Sequence, residues 1–222
     1  MRAILVWDLP TRLFHWLLFA AVSFALATGL FAPKWWLGRH MLAGYVVGGL
    51  LMFRAVWAFY GSEHSRVRSF LYTPRQTIDH LRGLLRLRTS HYLGHNPSGA
   101  AMIFALFAVL ALLIVSGFVQ QGGLEKQGPF AGFLSFAAGS QARVIHQLLA
   151  YLLLAMIAAH IGGVLTGSWL LKEPLIRAMI RGRKPVPDGT PANPPLRAKP
   201  WPAAIWLGLA AGACAIRRRR AR

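Results

Sequence analysis

The fold predicted for this 222-residue sequence is an all-α, polytopic membrane protein built as a four-helix bundle. Three observations predict it. The chain is 55% hydrophobic and only 14% charged, whereas soluble domains carry about 25% charged residues. Its apolar residues gather in blocks of about 20, the length that crosses a hydrocarbon core of about 30 Å as a helix. The charge is one-sided, with 25 Lys and Arg against six Asp and Glu and a formal net charge of +19. A nucleic-acid binder would also be basic, but it sets that surface on a soluble core, which is not apparent here. Membrane lipid is therefore the expected surrounding, and nucleic acid is not an expected partner. The apolar content excludes disorder over most of the length. The single cysteine, Cys214, excludes an internal disulfide and covalent haem attachment through CxxCH.

The first block, residues 13–32, is interrupted by polar side chains only at His15, Ser23 and Thr28. It is too long for a signal-peptide core and lacks a clean cleavage pattern, so it reads as a retained span. Pro33, Lys34, Trp35 and Trp36 turn the chain, and the tryptophans suit a membrane interface. The second block, residues 40–60, contains Gly44, Gly48 and Gly49 for close helix approach, and holds Arg54 near its far end. The third, residues 100–119, follows Asn96-Pro97-Ser98, a helix start. The fourth covers residues 144–171.

Between the second and third blocks, apolar and basic residues alternate at helical spacing over residues 74–86. That pattern predicts a helix lying in the plane of an anionic membrane surface. Residues 120–143 are glycine-rich, nearly uncharged, and read as an extracytoplasmic loop. Counting Lys and Arg outside the spans gives fifteen on the side of the N-terminus, the 61–98 loop and residues 172–199. Only Lys34, Arg39, Lys126 and Arg143 fall on the other side. The N-terminus is therefore expected in the cytoplasm. The division expected is a membrane domain over residues 1–183, a proline-rich linker over 184–200 and an apolar C-terminal segment with a polyarginine tail over 201–222. Residues 201–216 have no polar face for lying in-plane, yet spanning would export five arginines, so a short fifth span is left open.

Ionisable side chains inside membrane helices are costly and usually have a task. His15 falls in the first span, His40 in the second, and His146 and His160 in the fourth. His146 and His160 are fourteen residues apart. At roughly 100° per residue they fall about 40° short of four full turns, on nearly one face and about 21 Å apart. Antiparallel threading then sets His15 level with His160 and His40 level with His146. Two such pairs are what axial ligation of two haem irons requires. A pair at each height leaves zinc's usual four positions unfilled. The plainer account makes them satisfied polar residues lining a bundle, which needs four coincidences of position.

These residues also carry a resemblance. Val6-Trp7-Asp8-Leu9-Pro10-Thr11-Arg12-Leu13-Phe14-His15-Trp16 resembles the opening of the bacterial cytochrome b561 and nickel–iron hydrogenase b-type cytochrome family. So do His40-Met41-Leu42-Ala43-Gly44-Tyr45, Arg54-Ala55-Val56-Trp57 and His95-Asn96-Pro97-Ser98-Gly99-Ala100. The spacing of His146 and His160 is similar to the family's fourth-helix ligand pair. The resemblance covers about residues 5–180 and implies a four-helix bundle in a bacterial inner membrane. It implies two b haems, with His15, His40, His146 and His160 as iron ligands. It further implies electron transfer between a quinone pool and a redox partner such as a hydrogenase or a c-type cytochrome. The short connection between the first two spans limits any external docking surface, and the C-terminal linker and apolar end are not part of the pattern.

Arg12 lies about one turn before His15, where it can meet a haem propionate or a quinone carbonyl, although an orientation-setting, snorkelling arginine would sit there too. Arg54 lies fourteen residues after His40, about 21 Å along the helix and near the cytoplasmic surface, which makes it a candidate to contact a cytoplasmic-side haem, or equally an orientation-setting, snorkelling arginine. Gly44 is one turn from His40, where a missing side chain makes room for a porphyrin or for a neighbouring helix. Tyr45 and Trp16 adjoin ligands, and His64, His80, His91 and His95 read mainly as surface or interfacial groups, His95 capping or orienting the third span. Whether the chain is itself an enzyme depends on whether it has a quinol pocket. The alternatives are a small transporter, for which no internal repeat is visible, and a haem-free anchor for a partner protein, which needs no matched histidines.

Overall fold

In the computed structural model, which describes residues 2–86, 92–169 and 172–186, the chain runs β1 (Arg2–Leu5), α1 (Leu9–Leu30), α2 (Leu37–Tyr60) and α3 (Pro74–Leu85). It continues through α4 (Pro97–Gly123), α5 (Phe136–Trp169), α6 (Leu175–Arg181) and β2 (Arg183–Val186). Helices α1, α2, α4 and α5 are long and apolar enough to cross a membrane. Their outer faces display Leu17, Phe19, Val115 and Leu148, each more than half exposed. A soluble surface rarely tolerates such continuous apolar area; a lipid-facing one requires it. The protein is an all-α, multi-pass membrane bundle.

The starts of α1, α3 and α4 each have a local cause. The Asp8 carboxylate accepts from the Thr11 amide at 2.8 Å, with Pro10 in the first turn of α1. Thr73 and Gln76 form a capping box around Pro74 at the start of α3. Asn96 accepts from the Gly99 amide at 2.7 Å to open α4, again followed by proline. The basic, amphipathic stretch is thus a helix packed on α4, with Ile78, Leu81 and Leu85 left exposed beside Arg75 and Arg82.

α1 lies along α2 and α4 along α5, with α2 against α4 joining the two pairs. The core consists of Val22, Val47, Val109, Leu110, Leu113 and Leu153. Val22 and Val47 each follow a histidine of interest by seven residues, and Leu153 stands seven from both His146 and His160. Seven residues make nearly two full turns, so these apolar side chains lie on the histidine faces, about 10 Å along the axis from each.

One end of the bundle is closed by polar chemistry. β1 and β2 pair antiparallel, from Arg2 opposite Val186 to Leu5 opposite Arg183. The second carboxylate oxygen of Asp8 accepts from Trp57 Nε1 at 3.1 Å, the Ser62 amide at 3.2 Å and Ser65 Oγ at 3.1 Å. Burial alone would raise the Asp8 pKa, but the hydrogen bonds from Ser62 and Thr11 outweigh it and hold the carboxyl below its usual range. Lys184 is buried, donates to the Tyr92 carbonyl at 2.9 Å and lies 3.7 Å from Glu173.

Two segments differ from expectation. α4 runs on to Gly123 and α5 begins at Phe136, so only residues 124–135 connect them, and Gln120, Gln121 and Arg143 belong to helices. Residues 184–186, expected in the linker, are part of β2, whose partner strand is too distant in sequence to leave a local signal. The rest of the linker, the apolar segment 201–216 and its arginine tail lie outside the described residues.

Candidate functional site

Positions seven residues apart make a ladder on the inward faces of the bundle. On α1 it reads His15, Val22, Gly29; on α2, His40, Val47, Arg54; on α5, His146, Leu153, His160. The middle rung is the apolar core, and the histidines stand at the rungs above and below it.

At the rung farther from the strands, the His40 and His146 rings face each other with centroids 6.0 Å apart and planes at 83°. Two imidazoles bound to one metal through bonds of about 2 Å hold their centroids roughly 6 Å apart, so the separation fits a shared axial iron. Their tautomers are set by the surroundings. His40 Nδ1 lies 3.0 Å from the Ala25 carbonyl, which can only accept, and 3.3 Å from Thr28 Oγ1. His146 Nδ1 lies 3.1 Å from the Leu113 carbonyl and 3.1 Å from Ser116 Oγ. Both Nδ1 atoms therefore carry the proton, and both Nε2 lone pairs are left for a metal.

Glycines hold each ring from behind. A Cβ on Gly29 would come within 2.9 Å of His40 Cε1, and one on Gly117 within 3.3 Å of His146 Cε1. Both histidines line a cavity of about 710 Å³, within the roughly 300–1,000 Å³ common for cofactor sites. Its walls include Val22, Val47, Leu110 and Leu153, while Lys34, Gln121, Arg143 and Gln147 also line it. Gly44 lines it too, and a Cβ there would meet nothing within 4 Å, so the space before it is cavity rather than a neighbouring helix. The donor set, glycine cradles and apolar walls fit a b-type haem, which is apolar on both faces and needs no covalent attachment.

At the opposite rung stand His15 on α1 and His160 on α5. No ring contact like that of His40 and His146 joins them among the described residues. His15 packs edge-on against Trp16 at 5.1 Å, and its Nδ1 is buried without a hydrogen-bond partner among the described residues. Arg54 is 4% exposed on the same rung, with its guanidinium carbon 5.9 Å from the Phe70 ring centre. Arg12 donates to the Ile180 carbonyl at 2.7 Å, tying the first turn of α1 to α6, while its Nε is buried without such a bond. Tyr45 donates to Gln121 at 2.9 Å beside the cavity.

Sequence reasoning missed the groups behind His40 and His146. Backbone carbonyls of Ala25 and Leu113 have no sequence signature, though Thr28 and Ser116 inside apolar helices were a usable signal. It also placed His95 at the surface or an interface. His95 instead packs between Trp7, at 4.5 Å, and Phe70, at 4.8 Å. Burial, and then the charges of Arg54, Lys184 and His64, push its pKa down to about 3, so it is a neutral aromatic wedge.

The prokaryotic cytochrome b561 family matches the chain over residues 6–182. A probable Ni/Fe-hydrogenase B-type cytochrome subunit of Cupriavidus necator is 24% identical, covering 85% of this chain and 89% of its own. A probable Ni/Fe-hydrogenase 1 B-type cytochrome subunit of Escherichia coli K12 is 26% identical over 80% of this chain and 88% of its own. The corresponding subunit of Azotobacter chroococcum is 26% identical over 85% and 91%. The chain belongs to the prokaryotic cytochrome b561 family and is a membrane b-type cytochrome of electron transfer.

Proposed function

We propose that this family member is a dihaem cytochrome carrying electrons between a quinone pool and a redox partner protein. His40 and His146 would hold one haem, and His15 and His160 the second. The observation that supports this most is the His40–His146 pair, 6.0 Å between centroids with both Nδ1 atoms engaged and a cavity alongside. A haem iron bound there supplies one-electron chemistry between its ferric and ferrous states. The protein's part is to orient the imidazoles, raise their basicity through the Ala25 and Leu113 carbonyls, and keep water out with the Val22, Val47 and Leu153 layer.

The charge asymmetry of the connections supports an inner-membrane location with the β1–β2 end in the cytoplasm. His40 and His146 then lie toward the outer surface, His15 and His160 toward the inner. Arg12 and Arg54 stand at the inner height, where their cations favour a haem propionate. The relatives' names make a hydrogenase the first partner to test; a c-type cytochrome, expected from the sequence resemblance alone, is the second.

The test is the reduced spectrum and haem content of the purified full chain. Bands of b type with two haems per chain are expected. A stable, haem-free protein would overturn the reading and return the chain to a transporter or an anchor.

A further inference from the structure

The motif Arg-x-x-His occurs twice at ligand positions, as Arg12–His15 on α1 and Arg143–His146 on α5. In each, the arginine lies one turn from its histidine, toward its own end of the bundle. The structure separates the two. Arg12 is engaged by the Ile180 carbonyl. Arg143 is exposed, makes no hydrogen bond or ion pair with another described residue, and lines the cavity that holds His40 and His146.

That cavity is apolar within and cationic at one edge. Lys34 and Arg143 line it together with the single carboxylate of Glu125 and the amides of Gln120, Gln121 and Gln147. Arg39, the other nearby cation, is already spent on Trp36, with its guanidinium carbon 4.3 Å from the ring centre. A b-type haem has the complementary distribution: two apolar faces and one edge bearing two carboxylates.

We propose that Arg143 anchors the propionate edge of the haem held by His40 and His146, with Lys34 as the second cation, so that this edge points away from the β1–β2 end. The assignment rests on the reading of His40 and His146 as haem ligands. A planar guanidinium can take a carboxylate through two parallel hydrogen bonds, which fixes orientation as well as position. A cation at this edge also favours the reduced over the oxidised haem.

The experiment compares Arg143→Gln, Arg143→Lys, Lys34→Gln and His146→Ala in the full chain by optical redox titration and by haem loss to a haem-scavenging protein. In Arg143→Gln, one of the two redox waves is expected to fall, with the reduced-to-oxidised ratio at fixed potential dropping by up to about tenfold, or about 59 mV for one electron. Haem loss should be faster, Arg143→Lys should recover most of both effects, and Lys34→Gln should move the same wave the same way. The second wave, unmoved, reports that the bundle is intact. If both waves and the haem-loss rate stay at wild type in Arg143→Gln while His146→Ala removes one haem, this inference fails alone. Equal shifts in Arg143→Gln and Arg143→Lys would also overturn it. If His146→Ala keeps both haems, the ligand assignment fails and this inference with it.

Discussion

Adding one methyl group at Gly29 tests the site through a residue that carries no chemistry. Glycine inside a helix costs about 1 kcal/mol relative to alanine, so Gly29→Ala should stabilise α1 on backbone grounds alone. The neighbour reverses the sign. The new Cβ would stand 2.9 Å from His40 Cε1 and 3.2 Å from Nδ1. An ordinary carbon contact of about 3.5–4.0 Å requires the ring to retreat by roughly 0.6 Å or more. His40 cannot do so freely, because its Nδ1 is bonded to the Ala25 carbonyl at 3.0 Å and its far side faces His146. Losing that hydrogen bond costs about 0.5–1.5 kcal/mol, and losing such support behind a metal ligand typically costs about 10–100-fold in affinity. Gly29→Ala should therefore release one haem about 10–100-fold more readily and shift one redox wave, leaving the other in place. Gly49→Ala is the control, since a Cβ there meets nothing within 4 Å. Haem transfer to a scavenger measures both. If Gly29→Ala holds both haems as tightly as wild type, the close approach behind His40 does not govern the site.

The remaining predictions concern the strand end of the bundle. Asp8→Asn keeps the shape but loses the charge-assisted bonds to Trp57, Ser62 and Ser65; a loss of about 1.5–3 kcal/mol is expected in thermal unfolding at neutral pH. Because the folded-state pKa of Asp8 is lowered, its contribution is present above the ordinary carboxylate value of about 3.9 and is lost as pH falls through the lower folded value. His95, with a folded pKa of about 3, withdraws stability as pH falls below its ordinary value near 6.5, since the unfolded chain then binds the proton first. His95→Phe should flatten melting temperature against pH in that range while preserving the ring packing. Lys184→Ala removes the ion pair with Glu173 and the hydrogen bond to the Tyr92 carbonyl and should cost about 1.5–3 kcal/mol, read as earlier unfolding and easier proteolysis of the β1–β2 ribbon.

The four spans were legible because lipid demands long apolar runs with few charges, and the chain supplies them with only Arg54 deep inside one. Their starts were legible at Asn96-Pro97, a capping signature that the structure uses. The meeting of His40 with His146 followed from helix arithmetic and antiparallel threading, since both are properties of the backbone period rather than of tertiary detail. The ribbon was not legible. Arg2–Leu5 and Arg183–Val186 are four-residue strands at opposite ends of the described chain, and no local pattern links them. Nor was the support behind His40 and His146, because it comes from main-chain carbonyls at Ala25 and Leu113 and from absent side chains at Gly29 and Gly117. Asp8 was visible in the motif as quoted but its reach to Trp57 and Ser65 was not, for it depends on where α2 ends.

The pairing of ligands is tested most directly by counting haems per chain in double variants of the histidines. His40→Ala/His146→Ala and His15→Ala/His160→Ala should each retain one haem, because each removes both ligands of the same iron. His15→Ala/His40→Ala and His146→Ala/His160→Ala should retain none. A single haem surviving in either mixed pair, or two in any variant, would contradict the account.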